Sequence, residues 1–334
     1  MNNEVKTING YHIKDETARQ NIIETETAIE NRSRTNSYFN KNLGCTTFFR
    51  NLNLESLQTQ MSNIQKYFSC FKQQVRLTFN TSTMQYDLVE ADNMENQISI
   101  INQAIQNGAD FKGLHFYQTS GTTLQLIQTY GADVIMEAYY NAIVNFINRL
   151  PYKNEITTIW ILNEVGSSVC SSTYKTDIIK LINDLQELGY EVSLPCAGAY
   201  NMMDYDKDIL YACNFLSLNS YPKNDIYCEK SSISDVAERF NRDFRVIERY
   251  LQDKELCISE FGCSSSWNSF NSPEAYQEDR NGRPMALFLE GFFQSNLINY
   301  ATKGIFLWYY ADAYTYMPDT LLSVKNSREV RYNG

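Results

Sequence analysis

The segment Thr157-Thr158-Ile159-Trp160-Ile161-Leu162-Asn163-Glu164 decides the fold, because a short apolar, β-rich run ends abruptly in a polar amide and a carboxylate. A second segment repeats the design: Glu255-Leu256-Cys257-Ile258-Ser259-Glu260 carries a buried-type run into another carboxylate. Runs this apolar, with no polar alternation, suit strands covered on both faces, as in parallel sheets flanked by helices.

Working outward from these two, six further runs of the same kind occur, giving eight predicted strands in all. They are 44–49, 74–79, 113–117, 157–162, 191–195, 214–218, 255–259 and 304–308. Amphipathic segments lie between them. Leu54, Leu57, Met61, Ile64 and Phe68 recur at helical spacing, as do Ile98, Ile101 and Ile105, and further helices are expected over 134–150, 175–188, 234–251 and 285–300. Gly108 and Gly189 stand where a helix ends on a left-handed residue. Eight strand–helix units from Leu43 onward predict an α/β fold, a (β/α)8 TIM barrel, whose chemistry is built at the C-terminal ends of the strands. A doubly wound open sheet is the competing architecture, but no Gly-x-Gly-x-x-Gly follows the first strand.

Composition narrows the chemistry. The 334 residues suffice for one large core, so residues 37–334 are read as the barrel and 1–36 as a short helical arm. A net charge of −10 without any Lys/Arg-rich run argues against nucleic acid or an anionic membrane as partner. No run of about 18 apolar residues is present, and the polar start Met1-Asn2-Asn3-Glu4 lacks the apolar region of a signal peptide. The eight cysteines form no Cys-x-x-Cys, and Cys45, Cys196, Cys213 and Cys257 lie in or beside strand-like runs, as reduced core thiols do. With only two histidines, His12 and His115, a three-His metal site is impossible, and carboxylates remain as the reagents. No cofactor or metal is expected.

Singly, Glu164 and Glu260 are weak signals, since a glutamate at a strand end is most often a solvated loop residue. Together, after the fourth and seventh strands, they face each other across a barrel mouth. Retaining glycoside hydrolysis needs two carboxyl groups about 5–5.5 Å apart, one an ionised nucleophile and the other a proton donor. The two roles demand different protonation states near neutral pH.

At this point the sequence resembles the large clan of retaining β-glycosidases, in particular its cellulase- and mannanase-like family 5 branch, over about residues 43–320. The resemblance implies Glu164 as acid/base and Glu260 as nucleophile. It implies that Arg76, in Val75-Arg76-Leu77 at the end of strand two, bonds the nucleophile and holds it ionised. His115, in Leu114-His115-Phe116-Tyr117, falls at a subsite-contact position, and Asn163 at the position that bonds the sugar 2-hydroxyl. Tyr221, in Asn219-Ser220-Tyr221-Pro222, corresponds to a tyrosine whose hydroxyl bonds the nucleophile, and Trp308 to the aromatic floor of the reacting sugar.

Two departures stand out. Asn219 occupies the place of the family's strand-six histidine, which puts support of the acid/base in question, and Val165 stands where a proline usually follows the acid/base. Tyr310, with Tyr309, Tyr314 and Tyr316, crowds the loop after strand eight, and Trp267 follows the nucleophile. Such rings suit outer sugar subsites, and ordinary loop packing is the plainer account of any one of them.

The leading segment differs from the rest. Ala18, Ile22, Thr25 and Ile29 form a thin apolar seam suited to a short coiled coil or to docking on a partner, and equally to a solvated helix leading into the barrel; a homo-oligomer is left open. The run Ile8-Asn9-Gly10-Tyr11-His12-Ile13-Lys14-Asp15-Glu16-Thr17-Ala18-Arg19 resembles an N-terminal motif of bacteriophage tail and baseplate proteins. That resemblance implies a virion-attached enzyme acting at the host surface on a bacterial polysaccharide. The alternative keeps the barrel and drops the chemistry: a receptor-binding tail protein that grips glycan without cutting it.

Overall fold

The computed structural model describes residues 7–8, 11–12, 43–49, 54–118, 120–221, 232–251, 254–261 and 283–307. Eight parallel strands form the barrel: β1 (Leu43–Phe48), β2 (Cys70–Asn80), β3 (Phe111–Tyr117), β4 (Thr158–Trp160), β5 (Glu191–Ser193 and Pro195–Cys196), β6 (Leu216–Ser220), β7 (Leu256–Phe261) and β8 (Ile305–Leu307). Each pairs with its neighbours in sequence, and β8 returns to β1 through Ile305↔Leu43. Closure on the other side runs through β5, whose first piece pairs with β4 at Trp160↔Ser193 and whose second pairs with β6 at Ser217↔Pro195.

The helices between them are α1 (Leu54–Tyr67), α2 (Met94–Gln106), α3 (Ser120–Tyr130), α4 (Ala132–Arg149), α5 (Lys175–Glu187), α6 (Ala199–Met202), α7 (Lys207–Ala212), α8 (Ile233–Leu251) and α9 (Arg283–Gln294). Their apolar stripes carry the outer core. On α5, Ile178, Leu181, Ile182 and Leu185 are buried; on α8, Val236, Phe240, Phe244 and Ile247 are, and Phe240 stacks on Phe261 of β7. Gly108 and Gly189 both sit at φ +93° and end α2 and α5, as their sequence position implied.

All eight expected strands are present. β2 begins four residues earlier than its apolar run suggests, because Cys70, Lys72 and Gln74 line the barrel interior and interrupt the hydrophobic pattern. β2 also carries an antiparallel partner, Gln85–Leu88, which the sequence did not signal. The third unit holds two helices, α3 and α4, where one was expected.

Inside the barrel a small second cluster fills the lumen: Cys70, Trp160, Phe215, Cys257 and Phe306, with Trp160 5.5 Å from Phe306 and 6.1 Å from Phe215. The six described cysteines are all free and buried, in keeping with reduced core thiols. Of the N-terminal arm, the described part is two short antiparallel strands, Thr7–Ile8 and Tyr11–His12; the seam from Ala18 to Ile29 lies outside the described residues. Among the described residues no helix is long and apolar enough to cross a membrane.

Candidate active site

Two irregularities in the sheet place the carboxylates. The first is a β-bulge in β7. Leu218 pairs with Ile258 and Asn219 with Glu260, so Ser259 is an extra residue; toward β8, Ile258 pairs with Ile305 and Phe261 with Leu307, an equal slip. Side chains of adjacent strand residues ordinarily point to opposite faces. The bulge turns both Ser259 and Glu260 to the barrel interior, a re-aiming that bulges beside active sites commonly perform. The second is the turn after β4, where Leu162 at φ +49° and Glu164 at φ +54° lie in the left-handed region. Two such residues cost on the order of 1–3 kcal/mol each and persist where surrounding bonds over-determine them. Here Leu162 N donates to Tyr139 Oη (3.2 Å), Glu164 N to the Pro195 carbonyl (3.0 Å) and Gly166 N to Tyr205 Oη (3.2 Å).

From these supports a continuous network joins the two glutamates. The Ser259 hydroxyl donates to Asn219 Oδ1 at 2.7 Å, which fixes the orientation of the Asn219 amide. Asn219 Nδ2 then donates both to Glu164 Oε1 (2.8 Å) and to Asn163 Oδ1 (3.0 Å). Asn163 Nδ2 in turn donates to Glu260 Oε1 at 3.1 Å, and Tyr221 Oη donates to Glu260 Oε2 at 2.8 Å. Asn219 thus bonds Glu164 directly, so the departure from the family's histidine leaves the acid/base position with a supporting donor. Asn163 faces both partners at the floor of the mouth.

Two expected residues stand elsewhere. Arg76 is exposed on the rim and has no side-chain partner among the described residues; the β2 residue that reaches Glu260 is Gln74, whose Nε2 donates to Oε1 at 3.4 Å. Both occupy the inward face of β2, but Arg76 lies two residues, roughly 7 Å, further along the strand. His115 is fully buried and so is not a subsite contact. It sits below the mouth, with Nδ1 2.6 Å from Lys72 Nζ and Nε2 4.0 Å from Glu260 Oε1. Trp308, Tyr310 and Trp267 lie outside the described residues.

Electrostatics at Glu260 are dominated by burial. The carboxyl is 3% exposed, and loss of solvent pushes its pKa up to about 8; Lys72, Tyr221 and Asn163 pull downward and Glu164 pushes further up. Burial thus favours the protonated form of Glu260 near neutral pH, whereas the sequence reading expects an ionised nucleophile. Lys72, 0% exposed, is brought down to about 8 by burial, with Glu260 opposing. His115 is held well below the usual histidine range by burial and by Lys72, so its ring is neutral.

Beside Glu164 a cleft of about 490 Å³ opens, bordered by Gly198, Tyr200, Asn219, Tyr221 and Arg239. Tyr200 projects from α6 at 58% exposure. A large ring left in solvent at a cleft edge is suited to stacking on a flat apolar face. Sequence reasoning missed it because the loop after β5 carries no periodic or motif signal. Among the described residues no group of His, Cys, Asp and Glu is arranged to hold a metal ion.

No family model and no curated protein matches the chain. Solved structures do match, and they define the class of fold. A GH2 β-galacturonidase from Eisenbergiella tayi, solved with galacturonate, superposes with TM-score 0.57 at 12% identity over 87% of this chain. A GH18 chitinase, ChiB of Flavobacterium johnsoniae, gives 0.54 at 10% identity over 86% of this chain and 94% of its own. The wild-type GH5 protein ZgEngAGH5_4 gives 0.54 at 10% identity over 87% of this chain and 98% of its own. The chain spans about half (51%) of the galacturonidase. At such identities the likeness shows the fold: a TIM barrel of the kind these glycoside hydrolases share.

Proposed function

We propose that the protein is a retaining glycoside hydrolase acting on a β-linked glycan, with Glu260 as nucleophile and Glu164 as acid/base. The observation that carries this reading is the hydrogen-bonded chain from Ser259 through Asn219 and Asn163, which ties the two carboxylates into one constellation at the C-terminal mouth of the barrel. Glu260 attacks the anomeric carbon while Glu164 passes a proton to the departing oxygen, and a covalent glycosyl-enzyme forms. Esterification removes the negative charge beside Glu164, which favours the carboxylate form that then activates water to release the sugar. In this reading Asn163 meets the 2-hydroxyl and Tyr200 stacks on the leaving sugar. Neither step calls on a metal or an organic cofactor.

Reducing-sugar release from a panel of bacterial surface and cell-wall glycans tests the reading. Glu260→Ala is expected to abolish turnover and, with added azide, to give a product of inverted configuration; unimpaired hydrolysis sinks the assignment. Glycan binding with no release in the wild type selects the binding-only reading, which the lifted Glu260 pKa favours. We further infer, from the resemblance of residues 8–19 to phage tail proteins alone, that residues 1–36 attach the barrel to a virion. Deleting them is expected to leave hydrolysis intact and to abolish particle incorporation; loss of hydrolysis refutes that division.

A further inference from the structure

Beneath the proposed nucleophile lies a buried cation that the two-carboxylate mechanism does not use. Lys72 stands on β2 inside the barrel, 0% exposed, with its ammonium 4.8 Å above the Trp160 ring and 5.3 Å from that of Phe306. A lysine so enclosed costs free energy unless its charge is compensated. Two aromatic faces supply part of that compensation. The rest comes through His115, equally buried, whose Nδ1 is 2.6 Å from Lys72 Nζ.

An ammonium has donors and no acceptor, so Nδ1 must present its lone pair to Lys72. The single proton of the neutral ring is therefore on Nε2, and Nε2 faces Glu260 Oε1 at 4.0 Å. The positive charge is thus followed by an N–H group whose nitrogen lies 4.0 Å from the carboxylate oxygen, beyond hydrogen-bond length. We propose that Lys72, acting through His115, is the positioning cation that favours the ionised, attacking form of Glu260 against its burial, the task expected of Arg76.

This rests on the reading of Glu260 as nucleophile, while the coupling of Lys72 to Glu260 is a property of the barrel itself. Four further elements face the carboxylate. β3 contributes neutral His115, the β4 loop contributes Glu164, β6 is followed by Tyr221, and β7 adds the Cys257 thiol, pushed up to about 12 by burial. Among the described residues, Lys72 is the cation that acts on Glu260.

Two measurements test it. The first leaves the site itself unaltered: with only two histidines in the chain, nitrogen shifts assign His115 once His12→Gln removes the other signal. A neutral ring protonated on Nε2 is expected from pH 5 to 7, where Lys72 is an ammonium; an Nδ1-protonated ring or an imidazolium there overturns the proposal. The second is Lys72→Met, which keeps the volume and removes the charge, with Lys72→Gln as a second variant. The Glu260 carboxyl, followed by infrared difference against Glu260→Gln, should titrate on the order of one to two pH units higher. The acid limb of kcat/KM should move upward by the same amount without a fall in thermal midpoint. A lowered midpoint with unmoved carboxyl titration assigns Lys72 a packing role and overturns the proposal. A shifted carboxyl in a protein whose wild type cleaves no glycan leaves the coupling standing and removes the glycosidase reading.

Discussion

Replacing Asn219 by Ala should separate proton donation from the rest of the chemistry. Asn219 donates to the Glu164 carboxylate at 2.8 Å and to Asn163 at 3.0 Å, and accepts from Ser259 at 2.7 Å. A hydrogen bond to a charged group contributes about 1.5–3 kcal/mol and a neutral one about 1 kcal/mol. Only interactions that tighten in the transition state lower the rate when lost. The bond that orients Glu164 qualifies, and the bond that orients Asn163 qualifies in part, for a combined loss of about 2–3 kcal/mol, or roughly 30- to 160-fold in kcat/KM. The assay compares two β-glycosides of one sugar, one with a poor alkoxide leaving group and one with an activated phenolate that departs without protonation. The full loss is expected with the first and less than about tenfold with the second. A loss independent of the leaving group, or no loss, refutes the assignment of Asn219 as the orienting partner of the acid. Exposing the buried Ser259 hydroxyl to an empty site should separately lower stability by about 1–3 kcal/mol, readable by denaturant titration.

The remaining expectations concern pH, the rim and the lumen. If Glu260 is the nucleophile, it attacks as the anion, and with its carboxyl held up to about 8 the acid limb of kcat/KM should still be rising above pH 6; a limb complete by pH 6 contradicts it. The same shift links to stability. A carboxyl whose folded pKa is raised favours the fold below its unfolded value and loses that contribution as pH rises through about 8. Glu260→Gln should therefore gain thermal midpoint over wild type progressively between about pH 4.5 and 8, and equal midpoints at pH 5 and 9 count against it. Tyr200→Ala should raise KM about fivefold with kcat little changed, as loss of sugar stacking does; an effect confined to kcat argues against a subsite there. Trp160→Ala, emptying the barrel centre, should cost about 3–5 kcal/mol of stability in chemical denaturation.

Fold and site were legible to different depths. The eight strands and most helices could be read because apolar runs and 3.6-residue stripes are local signals, and Glu164, Glu260, Asn163 and Tyr221, which the fold joins in one network, each end or follow such a run. What the sequence hid is register. A strand's alternation marks Lys72, Gln74 and Arg76 as sharing a face, yet nothing local says which of the three stands level with β7. The bulge at Ser259 is equally silent, since it appears only when Leu218–Asn219 is matched against Ile258–Glu260. The resemblance thus points to Arg76 as the partner of the nucleophile where Gln74 reaches Glu260, and to His115 as a subsite contact where the ring is fully buried.

That misplaced layer bears on how such a site works. A nucleophile reached by solvent would need little help to remain ionised, but it would also be hydrated and poorly directed. Here Glu260 is buried and its charge is disfavoured, and the surrounding donors Tyr221, Asn163 and Gln74 are neutral dipoles whose orientation is fixed before any ligand arrives. Preorganised dipoles in a dry site are worth far more than the same groups in water, and they do not reorganise as the reaction proceeds. They cannot, however, replace a net charge. Among the described residues the cation that lowers this carboxyl is Lys72, fully buried in the lumen, so the charge that favours the anion comes from beneath the mouth rather than from its rim.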